Sequence, residues 1–243
     1  CELCRTGREN ICFSIKRMGF ELDGGFAQYV KLPAYNFCRV KKDSPLQEMA
    51  VITDAIATPY HAMKQIGHLS EGQKILVVGS GGLGLHAVQI ARLAGARVAV
   101  VDVKEKALQM AESFGAELLI DSKKSDPYKS VMQWTGGNGA DTVLECVGKE
   151  PTFSWSLNCL KRGGSLVLIG YDPVNPLPLN AKDMHYNEWK VIGTRASTKQ
   201  DQLELIDLVE HGDIKPVVTK VLPLKEGNAG LQEVQEGRNI GRI

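Results

Sequence analysis

The chain has 243 residues, 43% of them hydrophobic and 23% charged, with a formal net charge of +1. This is the balance of an ordinary globular protein, long enough to bury a core without disulfide staples. Near-neutral charge argues against nucleic acid or an anionic membrane as the main partner. The longest apolar runs, such as Val98–Val101, are strand-sized and too short to span a bilayer. With no secretory signal in view, a cytoplasmic location is expected.

Residues 1–19 are polar, show no clear period and hold Cys1, Cys4 and Cys12, which suggests a loop or lobe. Three cysteines packed this tightly suggest metal ligands, because a disulfide framework would be spread more evenly. Cys38, Cys146 and Cys159 are scattered and are expected to be small buried hydrophobes. Between 20 and 50, the runs Phe26–Val30 and Phe37–Val40 are predicted strands in a turn-rich segment. A small-residue helix is predicted from Val51 to Ile66. Lys74–Val78 then forms a short, continuous, β-branched run, the pattern of a strand buried on both faces.

From there the pattern alternates. A glycine cluster opens a helix that ends before Gly95, followed by a strand over Arg97–Val101 and a helix over Lys104–Phe114. Strand Glu117–Ile120, helix Asp126–Trp134, strand Asp141–Cys146 and helix Pro151–Leu160 follow, then strands Ser165–Ile169 and Trp189–Gly193. Strands alternating with helices imply parallel pairing through right-handed crossovers. The expected fold is therefore α/β, with a doubly wound parallel sheet over 51–196. Residues 197–243 are expected to carry a helix over Lys199–His211 and then Pro-interrupted short strands returning to the first, β-rich part, 1–50. Starting at Cys1 inside a cysteine cluster and stopping at Gly241-Arg242-Ile243, the chain is expected to be a stretch of a longer protein.

Gly79-Ser80-Gly81-Gly82-Leu83-Gly84 fits G-x-G-x-x-G and lies directly after a predicted strand and before a predicted helix. Gly79 would make the tight turn, Gly81 admit a pyrophosphate to the backbone, and Gly84 let helix and strand pack closely. The free N–H groups of the helix start suit phosphate oxygens. Asp102 closes the next strand, where a carboxylate accepts hydrogen bonds from the adenine ribose and repels a 2′-phosphate. NAD is therefore expected over NADP, although Lys104 and Lys106 could accommodate a phosphate. The competing reading is a glycine-rich turn that binds another ligand or none.

The run Cys1-Glu2-Leu3-Cys4 through Cys12 resembles the structural zinc lobe of the zinc-containing alcohol dehydrogenases of the medium-chain dehydrogenase/reductase superfamily. Asp23-Gly24-Gly25-Phe26-Ala27-Gln28-Tyr29-Val30 is similar to that family's re-entry into a GroES-like catalytic domain. The glycine turn, Asp141 through Gly148 and Gly163 through Gly170 resemble its coenzyme domain. The resemblance implies a Rossmann NAD-binding domain over 51–196, part of a GroES-like domain over 1–50, and a return to it over 197–243. It implies structural zinc on Cys1, Cys4, Cys12 and a further cysteine upstream. It also implies a catalytic zinc whose third protein ligand falls at Asp54, where the family usually has cysteine. A carboxylate can ligate zinc, and a helix-cap or near-ligand acid is the other reading of Asp54. By the same resemblance Thr58 would lie against the nicotinamide and Arg242 near the pyrophosphate, with Arg195 a second arginine candidate.

What this implies is an oxidoreductase that moves a hydride between an alcohol, or its aldehyde or ketone, and NAD, with zinc as Lewis acid in the whole protein. Two alternatives stay open. One is a related reductase or acyl-CoA-linked enzyme with an altered or absent catalytic zinc, and the other is a non-catalytic NAD-binding relative. A homo-dimer or homo-tetramer is expected, with Ser165–Gly170 and Asp172–Leu179 as candidate contacts. His61 is a candidate proton relay set against a plain surface histidine, and His86 is expected to pack or face solvent.

Overall fold

In the computed structural model, which describes every residue from Cys1 to Ile243, six parallel strands form one sheet in the order β3-β2-β1-β4-β5-β6. They are β1 (Lys74–Val78), β2 (Arg97–Asp102), β3 (Leu118–Asp121), β4 (Ala140–Glu145), β5 (Leu160–Leu168) and β6 (Lys190–Gly193). This is the strand order of a dinucleotide-binding doubly wound sheet, and the direction of winding reverses between β1 and β4.

The apolar runs are continuous because both faces of the sheet are covered. Ile75, Val77, Val98 and Val100 point into one core with Leu85, Val88 and Ala91 of helix Gly84–Leu93. Their neighbours Leu76, Val78, Ala99 and Val101 point into a second core with Phe153 and Leu157 of helix Glu150–Asn158. Full burial of each such side chain contributes about 1.5–3 kcal/mol, so a polar residue at these positions would be costly. Helix ends follow local chemistry. Asp126 accepts from the Tyr128 and Lys129 N–H groups at 2.9 and 3.3 Å, and helix Pro127–Thr135 stops at left-handed Gly136. Thr198 and Asp201 form a reciprocal capping box on helix Lys199–His211.

The structure departs from the sequence-based expectations in four places. First, residues 20–50 contain no strand: Phe26–Val30 and Phe37–Val40 run without a pairing partner, and Phe26 and Tyr29 stand in solvent. Strand-like residues form a ladder only beside another strand, and no strand of this chain pairs with them. Second, the tail holds a single bridge, Val218 to Arg242, and a helix, Gly227–Gln235, in place of short strands. Gly227 and Gly230 lower helix propensity and disguise that helix. Third, helix Ala181–Asn187 follows the Pro-rich stretch and gave no clear period. Fourth, β5 starts at Leu160 and bulges before rejoining β4 with Ser165 opposite Thr142. β5 is also paired on both sides, so Ser165–Leu168 is not a free edge for a second subunit; β6 is. No helix is long and apolar enough to cross a membrane.

Candidate functional site

The glycine turn sits at the carboxyl ends of β1 and β4, where the sheet order reverses and ligands of such folds bind. Each glycine has a distinct geometric reason. Gly79 has φ +88°, and a Cβ there would come within 2.8 Å of Val147 Cγ2. A Cβ on Gly84 would lie 1.9 Å from the Gly79 carbonyl oxygen, so helix and strand approach this closely only through hydrogen. At Gly81 a Cβ would meet nothing within 4 Å: the space is open, as a cradle for an incoming group requires. A Cβ on Gly82 would lie 2.7 Å from Arg242 Nε. The resulting cleft, about 290 Å³, is lined by the turn together with Asp102, Cys146, Val147 and Arg242. Its backbone, acid and arginine suit a pyrophosphate with a ribose beside it.

Asp102 closes β2 with its carboxylate fully engaged. Oδ2 accepts from the Ser80 backbone N–H at 2.6 Å and the Ser80 hydroxyl at 2.9 Å. Oδ1 accepts from the Val103 and Lys104 N–H groups at 2.7 and 2.9 Å. Lys104 Nζ is turned away onto the Asn239 carbonyl at 3.0 Å.

Arg242 reaches the cleft from the far end of the chain. Its N–H donates to the Val217 carbonyl at 2.8 Å, and its carbonyl accepts from Thr219 N–H at 2.9 Å. The side chain lies over Gly82, and Nη2 pairs with Asp54 Oδ2 at 2.5 Å. Arg195, the other arginine candidate, is elsewhere. It borders a cavity of about 650 Å³ between the cysteine lobe and the end of β6, with Arg8, His61 and Thr194.

Asp54 and Thr58 lie on consecutive helical stretches, π-helical Ile52–Ile56 and α-helical Ala57–His61, with a second π-helical stretch, Ala62–Ile66, following. Pro59 brings no N–H to this ladder. Thr58 is buried and donates to Asp54 Oδ1 at 3.2 Å, while the Asp54 side chain is 67% exposed. No cluster of three or more histidine, cysteine or carboxylate groups forms around Asp54. Asp54 alone does not make a metal centre.

Cys1, Cys4 and Cys12 do converge. Their sulfurs lie within 4.8 Å of one another, with Cys1 Sγ 3.6 Å from Cys4 Sγ and 3.8 Å from Cys12 Sγ. Tetrahedral zinc with bonds of about 2.3 Å sets sulfurs about 3.8 Å apart, so three corners of such a site are already in place. The Ser14 backbone N–H, 3.4 Å from Cys12 Sγ, and the Cys4 side chain both lower the Cys12 pKa, which favours the thiolate that metals bind.

His61 is buried and held at both nitrogens, by Asp201 Oδ2 at 2.7 Å on Nδ1 and Asn10 Nδ2 at 3.2 Å on Nε2. Asn10 also donates to the Arg195 carbonyl at 2.8 Å. The histidine therefore ties the cysteine lobe to the start of helix Lys199–His211, and its place on the surface as a plain exposed residue is excluded.

Three buried residues that support the cleft from behind escaped sequence reasoning. Ser80 occupies an unspecified position of the motif. Glu145, fully buried at the end of β4, accepts from Gly148 N–H at 2.6 Å and the Thr152 hydroxyl at 2.9 Å and so shapes the loop facing Gly79. Burial raises its pKa against these hydrogen bonds. A charge ending an apolar strand just before a glycine was the available signal. His86, fully buried in helix Gly84–Leu93, bonds the Gly82 carbonyl and the Val217 N–H.

Comparison with known proteins agrees with this architecture. The family model described as zinc-binding dehydrogenase matches residues 82–211. An NAD-dependent alcohol dehydrogenase of Sulfurisphaera tokodaii is 33% identical over 244 aligned residues, which cover all of this chain and 70% of that protein. The crystal structure of an alcohol dehydrogenase from the archaeon Aeropyrum pernix superposes with a TM-score of 0.92 at 31% identity, covering 99% of this chain and 70% of that one. The acetophenone reductase of Geotrichum candidum, solved in complex with NAD, gives a TM-score of 0.87 at 32% identity, covering 99% and 68%. The chain thus spans about 70% of the length of these relatives. It belongs to the zinc-containing alcohol dehydrogenase family of medium-chain dehydrogenases.

Proposed function

We propose that this chain carries the coenzyme site of an NAD-dependent alcohol dehydrogenase, and that the protein interconverts a small alcohol and its aldehyde or ketone. The observation that carries this reading is the cleft itself: open space over Gly81 flanked by Asp102 and Arg242 at the switch point of the sheet. The turn and Arg242 hold the pyrophosphate, and Asp102 takes the adenine ribose and disfavours a 2′-phosphate. Thr58, on helix Ala57–His61, is proposed to lie against the nicotinamide. When bound, the nicotinamide supplies the hydride acceptor or donor.

The cysteine lobe holds structural zinc, with Cys1, Cys4 and Cys12 as three of its ligands. Asp54 is proposed as a ligand or near-ligand of a catalytic metal. A homo-dimer or homo-tetramer is proposed, with the free edge of β6 as the contact. Size-exclusion chromatography with light scattering checks that point, and a monomer would refute it. The central test is titration with NADH, followed by the fluorescence of the bound nicotinamide, in parallel with NADPH. Saturable binding that favours NADH supports the reading. Absence of binding, or preference for NADPH, refutes it.

The related-reductase alternative has one observation in its favour: Asp54 is paired with Arg242 and has no metal-ligand cluster around it. Zinc counting on the full-length protein separates the two. Metal bound at the cysteine lobe alone favours the alternative, and a second ion that is lost in Asp54→Ala favours the main reading.

A further inference from the structure

His86 has no side-chain partner, and both of its bonds are to backbone. Nδ1 lies 2.6 Å from the Gly82 carbonyl oxygen, which only accepts, so Nδ1 carries the proton. Nε2 is left as the acceptor for the Val217 N–H at 2.9 Å. Two backbone groups thus set the tautomer. Gly82 belongs to the coenzyme turn. Val217 is the residue whose carbonyl accepts from the Arg242 N–H. The Arg242 side chain then comes back over Gly82. Gly82, His86, Val217 and Arg242 therefore form a closed circuit, in which the histidine links the turn to the tail backbone that delivers the arginine.

We propose that His86 is a positioning residue for the coenzyme's pyrophosphate. It fixes the Gly82 peptide in the turn and, through Val217, seats the backbone of Arg242 so that the guanidinium lies across the same turn. His86 does not touch the coenzyme. Its effect on binding passes through two backbone contacts and one arginine. The inference rests on the dinucleotide reading of the cleft. It goes beyond that reading by assigning a distinct task to a residue outside the glycine motif.

The test compares ADP-ribose, which carries the pyrophosphate, with adenosine, which lacks it, on the unmodified chain and on His86→Leu, His86→Gln, Arg242→Ala and the Leu/Ala double variant. Affinity is read by calorimetry for ADP-ribose and by saturation-transfer NMR for adenosine. His86→Leu should weaken ADP-ribose by about tenfold, the scale of a lost hydrogen bond or two, and leave adenosine nearly unchanged. In the Arg242→Ala background the same change should have a clearly smaller effect, because the route through Arg242 is already lost and only the hold on the Gly82 peptide remains. His86→Gln, which can donate and accept at similar reach, should recover part of the loss. Equal weakening of both ligands, or additive losses in the double variant, would overturn the proposal. If His86→Leu does not fold, the unmodified chain still decides. The 15N-labelled His86 Nδ1–H resonance should shift with ADP-ribose and stay put with adenosine, and no shift with either counts against the proposal. Failure of the unmodified chain to bind ADP-ribose would instead sink the dinucleotide reading itself.

Discussion

Ser80 and Asp102 are joined twice, by the serine's backbone N–H at 2.6 Å and by its hydroxyl at 2.9 Å, both to the same carboxylate oxygen. With the Val103 and Lys104 N–H groups on the other oxygen, all four lone-pair sites of Asp102 are in use. A ribose hydroxyl must displace one donor, and the Ser80 hydroxyl is the one free to rotate. Ser80→Ala should therefore lower stability by about 1 kcal/mol, or roughly 2–4 °C in Tm, and tighten NADH binding a few-fold. Asp102→Ser should do the reverse to NADH and raise the relative affinity for NADPH. Thermal melts and parallel fluorescence titrations check both.

The two inner glycines should fail differently. Gly84→Ala places a methyl 1.9 Å from a backbone oxygen that cannot yield, so the β1 turn must open, and loss of the folded sheet is expected by circular dichroism. Gly82→Ala meets only the flexible end of Arg242, at 2.7 Å from Nε. That variant should fold normally and lose ADP-ribose affinity by about the amount that Arg242→Ala loses. A fold defect in Gly82→Ala would contradict this.

Burial is the main cause that lowers the His86 pKa to about 4, and the nearby positive charge of Arg242 adds to it. An unperturbed histidine, as in an unfolded chain, titrates at about 6.5. The folded state therefore takes up the proton less readily than the unfolded state. The neutral ring's contribution is complete above pH 6.5 and is lost progressively as pH falls toward 4. The loss amounts to at most about 3 kcal/mol. Urea unfolding at pH 7, 5.5 and 4 should show the decline, and His86→Gln should flatten it.

At the lobe, the purified chain should carry zinc that is released by thiol-modifying reagents, measured colorimetrically. Cys4→Ala and Cys12→Ala should each lose most of it, since removing either leaves two of the three converging sulfurs. Undiminished zinc in both variants would move the metal elsewhere.

His61→Ala should cost about 1–3 kcal/mol, because the fully buried Asp201 loses its bond to the ring while keeping those from the Thr198 N–H and hydroxyl. Chemical denaturation measures it. A near-neutral change would mean that water replaces the ring in the Asn10–Asp201 gap.

The coenzyme sheet was legible in the sequence because its signals are local. Ile75–Val78 and Val98–Val101 are apolar on every residue, the glycines fall at fixed spacing, and Asp102 ends the second strand. Their roles follow from chain geometry within a few residues. The cysteine lobe was legible for the same reason. Residues 20–50 were misread because strand-forming side chains mean little without a neighbouring strand, and Gly227–Gln235 because glycines mask its helical period. What only the tertiary structure decided are relations across long stretches of chain: Arg242 beside Asp54 and Gly82, His86 linking Gly82 to Val217, His61 linking Asn10 to Asp201. Sequence by itself determined that a dinucleotide turn exists here and which sheet carries it. Which side chains hold that turn in place depended on how the tail folds back across it, because a hydrogen bond is set by where two groups end up in space and leaves no mark on their spacing along the chain.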